Sequence, residues 1–211
     1  MIETILHQVG IVPVIKMDTP EHAVPLAEAL IKGGLPAAEI TFRSDAAAES
    51  IRRIRDSGLD IFLCAGTVLN PEQAEKAVSA GARAIVSPGT NPDTVQWCLE
   101  RSIPVLPGCA TPTEVEACMR MGLSLVKLFP AEVVGGVGML KALSGPYSSV
   151  SFMPTGGVKP GNVTEYLKLK NVTACGGTWI VPGDKLAKGA FDEIEAIAKE
   201  AAALRDHVYS E

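Results

Sequence analysis

The chain has 211 residues, enough for one sizeable core and short for two ordinary domains. At 47% hydrophobic and 20% charged it reads as globular rather than disordered. A net charge of −5 argues against a general nucleic-acid-binding surface, although it leaves room for a local pocket that takes a small anion.

Residues 2–9 read as a short leading helix, and Gly10 opens a first strand over 11–15. Thr19-Pro20-Glu21 carries helix-start signals: a hydroxyl for the N-cap, a proline at the first helical position, and an acid in the first turn. That helix runs to Gly33-Gly34. The second strand spans 37–42, and Ser44-Asp45 opens a helix ending near Gly58. The third, 61–64, leads into Ala65-Gly66-Thr67, with Asn70-Pro71 starting the next helix. The fourth, 83–86, leads into Ser87-Pro88-Gly89, and Asn91-Pro92 starts another. The fifth, 103–106, leads into Pro107-Gly108, and Thr111-Pro112-Thr113-Glu114 forms a capping box. The sixth lies in the apolar run 123–131 and holds Lys127. The seventh, 150–154, is followed by Thr155-Gly156-Gly157; the eighth, 172–175, by Gly176-Gly177-Thr178. A turn at Pro182-Gly183-Asp184-Lys185 offers an extra helix N-terminus, and a long helix over 190–205 closes the chain.

Strand, Gly/Pro loop and capped helix thus recur at roughly 20–25 residues, the size of a minimal βα module. Eight such units with no hairpin signal predict an α/β fold, a (β/α)8 TIM barrel with a short N-terminal helix, as one domain over residues 1–211. The competing architecture, an open doubly wound sheet, lacks its G-x-G-x-x-G after the first strand.

Two strands carry charge where a barrel wants apolar residues. Lys127 sits mid-strand, where an isolated ammonium is costly to desolvate. The usual escape is a neutral amine, able to attack a carbonyl. The bland alternative is a lysine that snorkels to the rim. On the second strand Glu39, Thr41 and Arg43 are two apart and share a face. They read as an acid/base with an anion clamp beside it, or else as a buried Glu–Arg pair that only stabilises. The Gly-Gly pairs after strands seven and eight fall where many barrels hold phosphate on backbone N–H groups; taken singly each is only a tight turn. Gly66-Thr67, Pro88-Gly89 and Pro107-Gly108 end strands three to five, with Pro88 a further candidate contact.

The cysteines Cys64, Cys98, Cys109, Cys118 and Cys175 are odd in number and form no C-x-x-C, which fits reduced thiols in a cytoplasm. His7, His22 and His207 lie near the chain ends with no H-E-x-x-H or Cys/His cluster, so no metal centre is expected. No basic, apolar leader opens the chain and no run is long enough to span a bilayer, so neither a signal peptide nor a membrane partner is expected.

Glu39-Ile-Thr-Phe-Arg43, Ala65-Gly-Thr-Val-Leu-Asn-Pro71, Ser87-Pro-Gly89, Lys127-Leu-Phe-Pro-Ala-Glu132, Pro154-Thr-Gly-Gly-Val158 and Gly176-Gly-Thr-Trp-Ile-Val-Pro182 follow one another along almost the whole chain. In that order they resemble the 2-keto-3-deoxy-6-phosphogluconate (KDPG) aldolase family, including its 2-keto-4-hydroxyglutarate (KHG) members. The resemblance implies a class I aldolase on a (β/α)8 barrel, usually a homotrimer, acting on a small keto acid with no cofactor. It implies Lys127 as the Schiff-base residue and Glu39 as the acid/base. Arg43 and Thr67 would hold the pyruvoyl end, with Phe129 packing nearby. Gly156, Gly157, Gly177 and Thr178 would hold the phosphate. Thr155 resembles the gluconate-type enzymes, where galactonate-type relatives tend to carry an apolar residue. Many relatives have Ser in place of Thr178 and an apolar residue in place of Lys16. The alternatives are a galactonate-type aldolase, a phosphate-binding barrel isomerase or synthase, and a non-catalytic barrel that binds a sugar phosphate.

Overall fold

A strand exposes successive side chains to opposite faces, so a strand buried on both must be covered twice. Five of five residues are buried in β1 (Ile11–Ile15), β2 (Ala37–Thr41) and β3 (Phe62–Gly66) of the computed structural model, which describes residues 2–210. The further strands are β4 (Ala84–Val86), β5 (Val105–Leu106), β6 (Gly108–Cys109), β7 (Leu125–Leu128), β8 (Ser151–Pro154) and β9 (Cys175–Gly177). Every strand pairing is parallel. One sheet runs in the order β5-β4-β3-β2-β1-β9 and the other in the order β6-β7-β8. They join at both edges: β5 and β6 are two pieces of one stave broken at Pro107, and the bridges Phe152–Val172 and Thr155–Gly176 tie β8 to the last stave. The result is a closed eight-stave barrel, as the spacing of βα units predicts.

The outward residues Ile11, Ile15, Ile40, Ile85 and Val126 pack under the helices. The inward set Val12, Ala37, Phe62, Val86, Leu125 and Met153 forms a second cluster inside the tube, joined by Leu6 and Val9 of α1 (Ile2–Val9), which plugs the amino-terminal end. The outer ring comprises α2 (Ala23–Lys32), α3 (Ala47–Asp56), α4 (Pro71–Ala80), α5 (Pro92–Glu100), α6 (Pro112–Arg120), α7 (Gly136–Ser144), α8 (Val163–Leu167), α9 (Gly183–Ala187) and α10 (Phe191–Tyr209). Among the described residues no helix is long and apolar enough to cross a membrane.

Start signals worked at three helices. Asn70 accepts from Gln73 N, Asn91 from Asp93 N, and Thr111 with Glu114 completes the capping box. Two expectations differ. Thr19 makes no side-chain cap; a 3-10 turn over Pro20–His22 precedes α2. Ser44 gives its hydroxyl to the carbonyl of Met17, across to the loop after β1, and α3 starts only at Ala47. The last stave also runs past the expected end: its ladder strand is Cys175–Gly177, with Val172 joined to Phe152 by a single bridge. Gly177 is therefore a paired strand residue, in register with Pro13, and not part of a loop.

Replacing Thr111 with Ala is expected to cost about 1 kcal/mol in a denaturant titration. Thr19→Ala, which removes no cap bond, is expected to stay within about 0.5 kcal/mol.

Candidate active site

Lys127 enters the tube because β7 alternates: Val126 and Leu128 face the helices, and Leu125 and Lys127 face inward. The same alternation turns Glu39 and Thr41 of β2 inward. The two strands come from opposite sides of the barrel, 88 residues apart in sequence, and put Lys127 Nζ 3.4 Å from Glu39 Oε1. Lys127 is 4% exposed and Glu39 is fully buried, so the amine does not snorkel to the rim. The ring of Phe129 lies with its centroid 5.2 Å from Nζ. Glu39 Oε2 is buried without a hydrogen-bond partner.

Two glycines make the space. A Cβ on Gly66, which neighbours Thr41 in the β2–β3 register, would lie 2.2 Å from Glu39 Oε1. One on Gly108, paired with Lys127, would lie 2.0 Å from the carbonyl oxygen of Pro88. Either side chain would force the pair apart or push the Ser87-Pro88-Gly89 loop outward. Cys64 stands opposite Glu39 on β3; burial, then the Glu39 charge, push its thiol far above the usual range, so it fills space as a neutral group.

Arg43 does not pair with Glu39. Its Nε donates to Thr41 Oγ1 at 3.1 Å, and Thr41 in turn donates to Ile15 O at 2.9 Å. This chain fixes the base of the guanidinium while leaving its tip at the exposed rim. Thr67 follows Gly66 with φ of +55°, a left-handed conformation that a β-branched residue adopts at a cost. Such strain concentrates at working sites. Pro88 and Phe129 are half-buried at the same carboxyl-terminal end of the barrel.

Thr155, Gly156 and Gly157 follow β8. Gly156 and Gly157 have φ of +97° and +81°, and Cβ atoms there would meet Pro130 Cα at 3.2 Å and Glu132 Cγ at 2.5 Å. The amides of Gly157 and Thr178 donate to no carbonyl among the described residues. Thr155 Oγ1 is buried and unpartnered, with Gly176 directly against it. At Gly177 the glycine is required by the ring of Trp179, 1.9 Å from where a Cβ would be. Its place in this region is that of a stave end, beside the exposed Thr178. Helix α9 does start at the predicted turn, just after Pro182. Lys16 is exposed on the rim, bonded to Asp18 at 2.7 Å.

The structure therefore brings the Lys127 amine against both the Glu39 carboxylate and the Phe129 ring, and it sets Arg43, Thr67, Pro88, Thr155, Gly156, Gly157, Gly177 and Thr178 at the strand ends around them. Sequence reasoning read Gly66 and Gly108 only as strand-ending turns and passed over the pair Glu132–Tyr166, whose side chains hydrogen-bond behind the Gly156-Gly157 turn. The inward parity of Gly66, next to Thr41, was a readable signal. The other pair, 34 residues apart, left none.

The family model of KDPG and KHG aldolase matches residues 2–197. A 2-dehydro-3-deoxy-phosphogluconate aldolase of Treponema pallidum is 47% identical over 195 residues, 92% of this chain and 93% of that protein. Among solved structures, a KDPG aldolase of Legionella pneumophila with pyruvate captured as a covalent carbinolamine superposes with a TM-score of 0.91 at 36% identity, covering 94% of this chain and 97% of that one. The 2-keto-3-deoxy-6-phosphogluconate aldolase of Zymomonas mobilis with 3-phosphoglycerate superposes with a TM-score of 0.89 at 36% identity, covering 96% and 95%. Matched over nearly its whole length in sequence and in fold, this chain belongs to the KDPG and KHG aldolase family.

Proposed function

We propose that this chain is a class I aldolase that cleaves 2-dehydro-3-deoxy-6-phosphogluconate to pyruvate and glyceraldehyde 3-phosphate, with Lys127 as the imine-forming residue. The observation that carries the reading is the Lys127–Glu39 pair: an amine and a carboxylate 3.4 Å apart inside an apolar tube. A pair of this kind is a poor device for stability, since apolar residues of similar volume usually serve as well or better. It is a good device for proton transfer, because the carboxylate lies within reach of whatever the amine bonds to. The carbinolamine in the Legionella relative supports the same chemistry here.

In this reading the neutral Lys127 amine attacks the C2 ketone. Glu39 moves protons as the carbinolamine forms and loses water, which leaves a protonated imine. The C4 hydroxyl then gives its proton to Glu39, the C3–C4 bond breaks, and its electron pair flows into the imine to give an enamine. Glyceraldehyde 3-phosphate departs. Glu39 returns the proton to C3, and water hydrolyses the imine to pyruvate and free Lys127. Arg43, with Thr67, binds the carboxylate of the pyruvoyl half. The free amides of Gly157 and Thr178, with Gly156 and the end of the last stave at Gly177, receive the phosphate; the 3-phosphoglycerate bound in the Zymomonas relative supports a phosphate site. Because 4-hydroxy-2-oxoglutarate has the same pyruvoyl half, we propose its cleavage to pyruvate and glyoxylate as a second activity of the same amine. We further take the chain to act as a homotrimer.

Incubation with pyruvate and borohydride is expected to add one reduced pyruvoyl group, located by peptide mass on Lys127. A phosphate-binding isomerase or a sugar-phosphate sensor would give no adduct. Lys127→Met is expected to abolish both adduct and turnover. Glu39→Gln, which keeps a hydrogen-bonding side chain beside Lys127, is expected to lower kcat by ~10²–10⁴-fold with the fold intact by circular dichroism. Light scattering is expected to give three times the 22.1 kDa chain mass; a monomer mass would remove the trimer.

A further inference from the structure

The turn proposed to take the phosphate has a carboxylate for a neighbour. Ala131 N and Glu132 N donate to Thr155 O and Gly156 O at 2.8 and 3.1 Å, so the segment after β7 runs directly alongside the Gly156-Gly157 turn. The Cβ and Cγ of Glu132 lie where a side chain on Gly157 would have to go. An unrestrained carboxylate on so short a tether could swing over the turn and repel a phosphate dianion.

It is not unrestrained. Tyr166 of α8 is fully buried and donates its hydroxyl to Glu132 Oε1. Gly136, at φ of +53°, clears the space for that bond: a Cβ there would lie 2.7 Å from both Glu132 Oε1 and the Tyr166 oxygen. The carboxylate thereby comes to rest at the start of α7, where the helix dipole favours negative charge. Burial, then the Glu132 bond, hold the phenol far above its usual range, so Tyr166 stays a donor at any working pH.

We propose that Tyr166 is a positioning residue for the phosphate end of the site: its hydroxyl parks the Glu132 carboxylate on the α7 side, so that only the aliphatic stem of Glu132 borders the Gly156-Gly157 turn. This rests on the aldolase reading above, and it concerns only the end of the substrate remote from Lys127.

Steady-state cleavage of 2-dehydro-3-deoxy-6-phosphogluconate, together with exchange of the methyl protons of pyruvate in D2O, separates the two ends of the site. Tyr166→Phe frees the carboxylate. Glu132→Asp frees it too, by shortening the side chain beyond reach of the hydroxyl, and leaves the buried ring untouched. Each is expected to raise KM for the phosphorylated substrate on the order of tenfold, the scale of one interaction between partly solvated charges. The KM for pyruvate exchange and both kcat values are expected to change less than twofold. Adding Glu132→Gln to Tyr166→Phe removes the charge and is expected to restore KM to within twofold of the starting enzyme. Equal effects on pyruvate and on the phosphorylated substrate, or a double variant no better than Tyr166→Phe, would overturn the proposal. A starting enzyme that forms no borohydride adduct with pyruvate would instead overturn the aldolase reading, an outcome distinct from either.

Discussion

An amine and a carboxylate in contact inside a barrel constrain everything around them. Neither group is solvated, so each depends on the other for a hydrogen bond, and removing one leaves its buried partner unsatisfied at a cost of about 1–3 kcal/mol. The neighbours fit that constraint. Gly66 and Gly108 withdraw their side chains where any atom would break the contact or the loop behind it. Cys64 and Met153 supply bulk without competing charge. Thr41 takes up Arg43, whose guanidinium stays at the rim and does not pair with Glu39. The stave order does the rest, since only closure of the sheet brings β2 and β7 to face each other across one lumen.

The barrel was legible because parallel staves buried on both faces leave short apolar runs, and Asn70, Asn91 and Thr111 punctuate them with caps the structure uses. The errors have local causes. Ser44 has the chemistry of a cap but a better acceptor in Met17 O. Gly176 and Gly177 look like a turn because residues without side chains carry no pattern, yet backbone pairing needs none. Lys127 and Glu39 were conspicuous because charge interrupts greasy strands. Glu132 and Tyr166 were not, because a carboxylate in a loop and a tyrosine on a helix are ordinary until tertiary structure brings them together.

The two ends of the site are built differently. Around Lys127 the groups are side chains on rigid strands, held by pairing and packing. Around Gly156 and Gly157 the groups are backbone amides on a left-handed turn, shaped by the segment that follows β7. Chemistry at the first end demands fixed geometry. In the function we propose, recognition at the second would depend on charge and on room for an anion to approach the main chain. Thr67, strained at the junction of β3 and its loop, belongs to the rigid end, where strain persists only if the surroundings over-determine it.

Helix α1 has a consequence for traffic. By driving Leu6 and Val9 into the inner cluster it closes the amino-terminal end of the lumen, which leaves the carboxyl-terminal rim as the way to the amine. Whatever reaches the amine must back out the way it came. In the cleavage we propose, the fragment carrying the anion would lie nearer the exit and leave first, and solvent would then reach the remnant held on the amine, an order of departure set by the stopper at the far end.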